Sequence, residues 1–324
     1  MKKLYIMVSV FLVVSVLGCA KANEKILLIF SYHPEYAWVI EETRGAEDVL
    51  SKRGIETEKF YLDTKRHTSA EWKAKITEDA ITKIEELNPS LVIVFDDNAC
   101  ELVAKKYIDK ALPFVFCGMN AEPEDYGFPA KNITGVLERS HTVESIELLK
   151  KLVPDVKKVA IITDDSPSSK AFVARAKKTI LPIEIYEIYT TNDFGLWKEK
   201  IKQFQSTVDG IGLFLYHTLK EKGQEISLLP EDVLKWTLEN NKLPEFSAID
   251  YTVRDGALCA VATSGYQQGR SAAEIALTIL AGATPGNIPI VCLVKEYPMV
   301  NLKRADELNI IIPEDVLEEV QIIY

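Results

Sequence analysis

An α/β fold of two lobes is what this sequence predicts, and three observations predict it. After residue 24, short and nearly continuous apolar runs alternate with polar or amphipathic helical stretches, as in parallel sheets covered on both faces. The alternation restarts behind Pro154, midway along the chain. The length of 324 residues with 47% hydrophobic content allows two large cores, at roughly 150 residues per domain.

The elements follow in order. Lys2 and Lys3 precede a predominantly apolar run, LYIMVSVFLVVSVLG, which is shorter than the ~20 residues a helix needs to cross a bilayer. Its end, Val16-Leu17-Gly18-Cys19, resembles a bacterial lipobox. Residues 1–18 are therefore expected to be a lipoprotein signal peptide, Cys19 the lipidated N-terminus and 19–23 a tether, placing an extracytoplasmic body on a bacterial membrane. Loss of the two lysines moves the formal charge from −10 to −12.

KILLIFSY (25–32) reads as the first strand, followed by a helix to about Arg53. ETEKFYL (56–62), a polar helix from about Ser69 to Leu87, LVIVF (91–95), a short helix from about Asn98 to Tyr107 and FVFC (114–117) continue the alternation. The second half reads KKVAIIT (157–163), a helix from about Ser168, IEIYEIY (183–189), a helix from about Phe194 and GIGLFLY (210–216). A helix near Pro230 to Asn240, the LPEFSAI strand and GALCAVA (256–262) follow. Such repeated βα units imply parallel sheets with right-handed crossovers. A late amphipathic helix from Tyr266 to Ala281, ended by Gly282, suggests that the chain returns to the first half before finishing, through more than one crossover.

Several function classes are excluded. An acidic chain without a basic stripe lacks the phosphate-neutralising term of nucleic-acid binding. There is no CxxC and no paired histidine, so no metal is expected; Cys100, Cys117, Cys259 and Cys292 sit in apolar segments as core thiols or bridges. GxSxG, HExxH, P-loop and GxGxxG motifs are absent, and the four histidines (33, 67, 141, 217) are scattered, so neither an enzyme nor a cofactor is expected.

In open α/β sheets, ligands bind beyond the carboxyl ends of the strands, and the polar clusters of this chain fall there. The first half offers Tyr32, His33, Tyr36 and Trp38, then Asp63 to Arg66, then Asp96, Asp97 and Asn98, then Asn120. The second half offers Asp164, Ser166 and Ser168, then His217, then Asp250 and Tyr251. Two facing rims make a cleft. Asp96, Asp97, Glu138 or Asp250 suit an ammonium, the serines at a helix start suit a carboxylate, and Tyr32, Tyr36, Trp38 and Tyr251 suit an aromatic body. Plainer roles compete: Ser168 as a helix cap, Asp63 paired with Arg66 across a turn, Trp38 in the core. The Asp96-Asp97 pair at the end of a buried strand has no such plain role, since charges need partners there.

SYHPEYAW (31–38), YLDTKR (61–66), VFDDNA (94–99), PFVFCGMN (113–120), NITGVLE (132–138) and VNLKRADELNIIIPEDVL (300–317) together resemble the substrate-binding proteins of ABC transporters of the tryptophan/tyrosine type. The branch also resembles the extracytoplasmic sensing portion of some bacterial sensor kinases. The resemblance implies a type I periplasmic-binding-protein fold, with two lobes joined by about three crossovers. Lobe I is then expected at 24–137 plus about 265–293, and lobe II at 138–264 plus about 294–324. It implies a monomeric, lipid-anchored solute receptor closing on a small ligand, with an aromatic amino acid favoured and an ABC permease as partner. It places Tyr32, His33, Asp96, Asp97, Asn98 and Asn120 on lobe I's side of the cleft, with Glu138 just beyond the first crossover. The sequence departs where the family often has Thr-Gly after an aspartate; here stands Asp165-Ser166-Pro167-Ser168. The alternatives are a ligand-sensing partner of a membrane histidine kinase and, further off, a cleft enzyme using His33 or His217 with Asp96.

Overall fold

The computed structural model describes residues 24–293 and 297–324; the leader and the whole tether, Cys19 included, lie outside the described residues. In the first half β1 (Lys25–Phe30) leads to α1 (Ala37–Leu50), β2 (Glu56–Tyr61) to α2 (Ala70–Leu87), β3 (Leu91–Phe95) to α3 (Asp96–Leu102), and β4 (Phe114–Met119) through one-turn α4 (Pro123–Tyr126) to β5 (Ile133–Leu137). The second half runs α5 (Thr142–Leu152), β6 (Lys158–Thr163), α6 (Pro167–Ala176), β7 (Glu184–Thr190), α7 (Phe194–Phe204), β8 (Gly210–Leu213), α8 (Pro230–Asn240), β9 (Glu245–Ile249), α9 (Asp250–Arg254) and β10 (Cys259–Thr263). Then come α10 (Gly265–Leu280), β11 (Val291–Cys292), β12 (Tyr297–Asn301), α11 (Leu302–Glu307), α12 (Glu314–Glu319) and β13 (Gln321–Ile323).

The strands form two sheets, ordered β11-β5-β4-β3-β1-β2 and β13-β12-β10-β9-β8-β6-β7. All neighbours are parallel except β10 and β12, which run antiparallel. This is the two-lobed α/β fold that the alternating runs predict. The chain passes between the sheets three times: after β5, after β10 and after β11.

Side-chain alternation decides what covers each face. Ile26, Leu28 and Phe30 of β1 join a core with Val39 and Ala46 of α1 and with Ala272 and Ile279 of α10. Their neighbours Leu27 and Ile29 point the other way, onto Ile76, Ala80 and Ile84 of α2. In the second lobe Ile162 and Leu213 meet Trp197 and Ile201 of α7, while Val159 and Ile161 meet Ile146 and Leu149 of α5.

Some boundaries differ from the periodicity. The helix expected from about Asn98 begins at Asp96, because the chain turns off β3 through a left-handed Asp96 (φ 66°). The GIGLFLY run leaves the sheet at Leu213, and Phe214 and Leu215 beyond it reach the cleft. All four described cysteines are free thiols. Cys100, Cys117 and Cys259 are core residues, but Cys292 is exposed on the short edge strand β11, which corrects the core-or-bridge expectation for it.

Helices α1 and α10 cross in backbone contact. A Cβ on Gly45 would stand 2.0 Å from the Tyr266 carbonyl oxygen, and one on Gly269 would stand 2.0 Å from that of Glu42. Neither obstacle is a side chain that can swing aside. Gly269→Ala is therefore expected to cost about 1–3 kcal/mol by overpacking, read as a lower urea midpoint. An unchanged midpoint would refute the close crossing.

Candidate functional site

A narrow cavity lies between the carboxyl ends of the two sheets. The centre of a water molecule can occupy about 40 Å³ of it. Lobe I contributes Tyr32, Tyr36, Trp38, Lys65, Asp96 and Asn120, and Glu138 and Ser140 lie at the first crossing. Lobe II contributes Thr163, Ser168, Ser169, Phe172, Phe214, Leu215, Ile249 and Tyr251.

The acidic end is built from the sharp exit of β3. The left-handed backbone at Asp96 is one that aspartate tolerates. The Trp38 indole N–H donates to Asp96 Oδ1 at 3.0 Å, which fixes the carboxylate, while buried Oδ2 has no hydrogen-bond partner. Burial pushes the Asp96 carboxyl well above the usual range, and Glu138 pushes it further while Lys65 opposes. Glu42, on α1, is also driven up by burial and then by Asp96. Asn120 Nδ2 donates to Glu138 Oε2 at 2.7 Å.

Burial raises the Glu138 carboxyl from 4.5 to about 7, with Asp97 adding to the shift and Asn120, Arg175 and Lys65 opposing it. The folded chain therefore keeps this proton where the unfolded chain has released it. Its stabilising contribution is complete below about pH 4.5 and is lost as pH rises through about 7. Between about pH 5 and 8 the melting temperature of wild type is expected to fall progressively relative to that of Glu138→Gln. A difference that does not change with pH would contradict the buried acid.

The aromatic wall spans both lobes. Tyr36 and Tyr251 share a 2.7 Å hydroxyl contact across the cleft, and their rings meet edge to face at 5.7 Å. Tyr32 packs edge-on against Tyr36 at 5.4 Å, and its hydroxyl lies 3.3 Å from Ser168 Oγ. Phe172 and Phe214 stack at 3.9 Å on the opposite side.

Of the residues singled out from the sequence, the structure brings Tyr32, Tyr36, Trp38, Asp96, Asn120, Glu138, Ser168 and Tyr251 to the cavity. It places the others elsewhere. Asp97 accepts the backbone N–H of Ala121 at 2.9 Å and the Ser168 hydroxyl at 2.8 Å, so it ties the lobes together behind the cavity. Asn98 is buried in α3. Asp164 accepts from the N–H groups of Ser166, His217 and Thr218 and from the Ser169 hydroxyl, which organises two loops rather than a ligand. Ser166, not Ser168, caps α6, accepting the Ser169 N–H at 3.3 Å. His217 is buried behind the wall, 4.7 Å from Tyr36 and 5.3 Å from Tyr251, and burial holds it well below its usual pKa. His33 stands beside Asp63, 3.6 Å away, and Asp250 pairs with Arg254 at 3.4 Å. The Asp63–Arg66 pairing is present, at 2.9 Å.

Sequence reasoning placed Lys65 and Ser169 in the strand-end clusters without choosing them as ligand contacts, and it missed Ser140, Thr163, Phe172, Phe214, Leu215 and Ile249 as lining residues. Phe172 was within reach, because it lies one helical turn beyond Ser168. Phe214 and Leu215 look like strand residues, and only the early end of β8 turns them inward.

The sequence model of the family of ABC transporter substrate binding proteins matches residues 33–322. The chain belongs to that family. A curated relative of this substrate-binding protein, a tyrosine-binding protein of Clostridioides difficile (strain R20291), is 24% identical over 190 residues. The match covers 59% of this chain and spans half the length of the relative. Among solved structures, an ABC domain in complex with L-Trp from Streptococcus pneumoniae superposes with a TM-score of 0.73 at 20% identity, covering 94% of this chain and 100% of that one. The ligand-free, open structure of a Clostridium difficile substrate binding protein with adhesive properties gives 0.65 at 16% identity, covering 93% and 99%. The substrate-binding protein has the type I periplasmic-binding-protein arrangement of two lobes. Among the described residues no helix is long and apolar enough to cross a membrane.

Proposed function

We propose that this chain captures a small aromatic amino acid in the cleft, outside the cytoplasm, and hands it to an ABC permease, held near the membrane by lipid on Cys19. The observation that carries the ligand class is Asp96. A carboxylate oxygen buried in the cavity without a hydrogen-bond partner is costly unless something cationic fills it. The ligand's ammonium meets it, and Glu138 lies beside it. The body of the ligand lies among Tyr32, Tyr36, Phe172, Phe214 and Tyr251, whose rings offer aromatic contact at low entropic cost. The relative described as tyrosine-binding and the fold neighbour crystallised with L-Trp support the same class.

Capture proceeds by hinge closure, with contacts from both lobes favouring the closed state. The closed state has its own latches: Ser168 on Asp97, Tyr36 on Tyr251, Arg175 on the Asn120 carbonyl, Lys220 on Thr68 and Ser227 on the Lys65 carbonyl. Calorimetry of unloaded, refolded protein against tyrosine, tryptophan, phenylalanine and small aliphatic amino acids tests the assignment. Heat is expected from the aromatic set; no binding to any amino acid would sink it.

A further inference from the structure

The cavity holds one cation whose surroundings do not account for it. Lys65 is 2% exposed and lines the cavity. Its ammonium sits 4.3 Å from the centre of the Tyr32 ring and 5.2 Å from that of Tyr36. Among the described residues it makes no hydrogen bond and no ion pair. Of the neighbouring acids, Glu138 has the Asn120 amide, Asp97 the Ser168 hydroxyl and Asp164 several backbone N–H groups, while Asp96 has the Trp38 indole on Oδ1 and no donor on Oδ2. Two aromatic faces attract an ammonium, but more weakly than water does. Burial accordingly pulls the lysine pKa down, and Asp164, Asp96, Glu138 and Asp97 only partly oppose this.

The backbone that carries this ammonium is fixed from both sides. Thr64 donates its N–H and its hydroxyl to the Ser31 carbonyl at 3.0 and 2.7 Å, which pins the turn to β1's end. From the other lobe, the Ser227 hydroxyl donates to the Lys65 carbonyl at 2.7 Å. A backbone held in this way fixes the point from which the lysine side chain reaches the cavity, where the Tyr32 and Tyr36 rings flank its ammonium.

We propose that Lys65 is the residue that recognises the ligand's carboxylate, so that the site reads a zwitterion from two ends, Asp96 taking the ammonium and Lys65 the carboxylate. This rests on the amino-acid reading above. It accounts for a buried ammonium that lines the cavity with aromatic faces beside it and, among the described residues, no hydrogen bond or ion pair.

The competing role for Lys65 is that of an internal counter-ion to the four acids, and the two roles separate by experiment. Calorimetry compares L-tyrosine and L-tryptophan with tyramine and tryptamine, which keep the ring and ammonium but lack the carboxylate, on wild type and on Lys65→Met. Wild type is expected to prefer the amino acids strongly. Lys65→Met is expected to lose about 100-fold for the amino acids while its affinity for the amines stays within about threefold. Lys65→Gln, neutral and of similar reach, gives the same comparison if the methionine variant does not fold. Equal losses for acids and amines would assign Lys65 to the counter-ion role and overturn the proposal, as would undiminished binding of the amino acids. If wild type binds the amines as well as the amino acids, carboxylate recognition fails while the amine-and-ring reading stands. If it binds none of the four, both fall.

Discussion

Replacing Asp96 by asparagine is expected to weaken ligand binding by about 100-fold or more, while leaving the fold at least as stable as before. Asparagine suits the test for two reasons. It tolerates the left-handed backbone that this position adopts (φ 66°), where alanine would add strain. It also keeps an acceptor for the Trp38 indole. What it removes is an acid that burial and its neighbours Glu138 and Glu42 make costly to ionise. Buried like charges repel, so losing one relieves the folded state. Function and stability should then move in opposite directions, which a general folding defect cannot imitate. Calorimetry and a urea titration on the same preparation read both quantities. Retained affinity, or a large drop in urea midpoint, would contradict this account of Asp96.

The second large effect lies far from the cleft. Arg304 on α11 is buried with Glu245 at the start of β9, donating through Nε at 3.2 Å and through Nη2 as well. The same guanidinium reaches the Asn241 carbonyl at 3.0 Å and Glu307 at 3.0 Å. This cluster fastens the segment after the third crossing onto the second sheet. Arg304→Met leaves Glu245 buried without its cation and is expected to destabilise the protein by about 3–5 kcal/mol. The pair itself contributes less than that, because its burial costs desolvation. Replacing both residues by methionine should therefore recover much of the loss. A single-variant loss below about 1 kcal/mol, or a double variant worse than the single, would show that the pair is not the fastening.

How far the sequence could be read varies with the kind of residue. The strands were legible because buried parallel strands must be apolar on both faces, and KILLIF, LVIVF and KVAIIT have no other soluble use. The strand-end rule then brought Asp96 and Tyr251 to the same cavity from positions 155 residues apart in sequence. Legibility ended where direction matters. Asp96 and Asp97 are adjacent and chemically alike, yet one faces the cavity and the other turns away toward Ala121 and Ser168. Ser166 and Ser168 divide similarly, one capping the helix and the other reaching across the cleft. Lys65 was legible only as one member of the polar run Asp63 to Arg66 at a strand end, and tertiary structure shows it 2% exposed.

The return of α10 to the first sheet has a consequence for the order in which the molecule is assembled. Part of the face of β1 that carries Ile26, Leu28 and Phe30 is covered by Ala272, Ala276 and Ile279, residues made after strands β6 to β10 of the second sheet. A chain emerging N-terminus first thus makes five strands of its second sheet before its first can be sealed. Until about residue 280 has arrived, the earliest-made lobe exposes an apolar sheet face, the kind of surface that aggregates or recruits chaperones. The lobe that begins the chain thus stays open until this late helix returns, and the glycine crossing at Gly45 and Gly269 is where the two helices close over it.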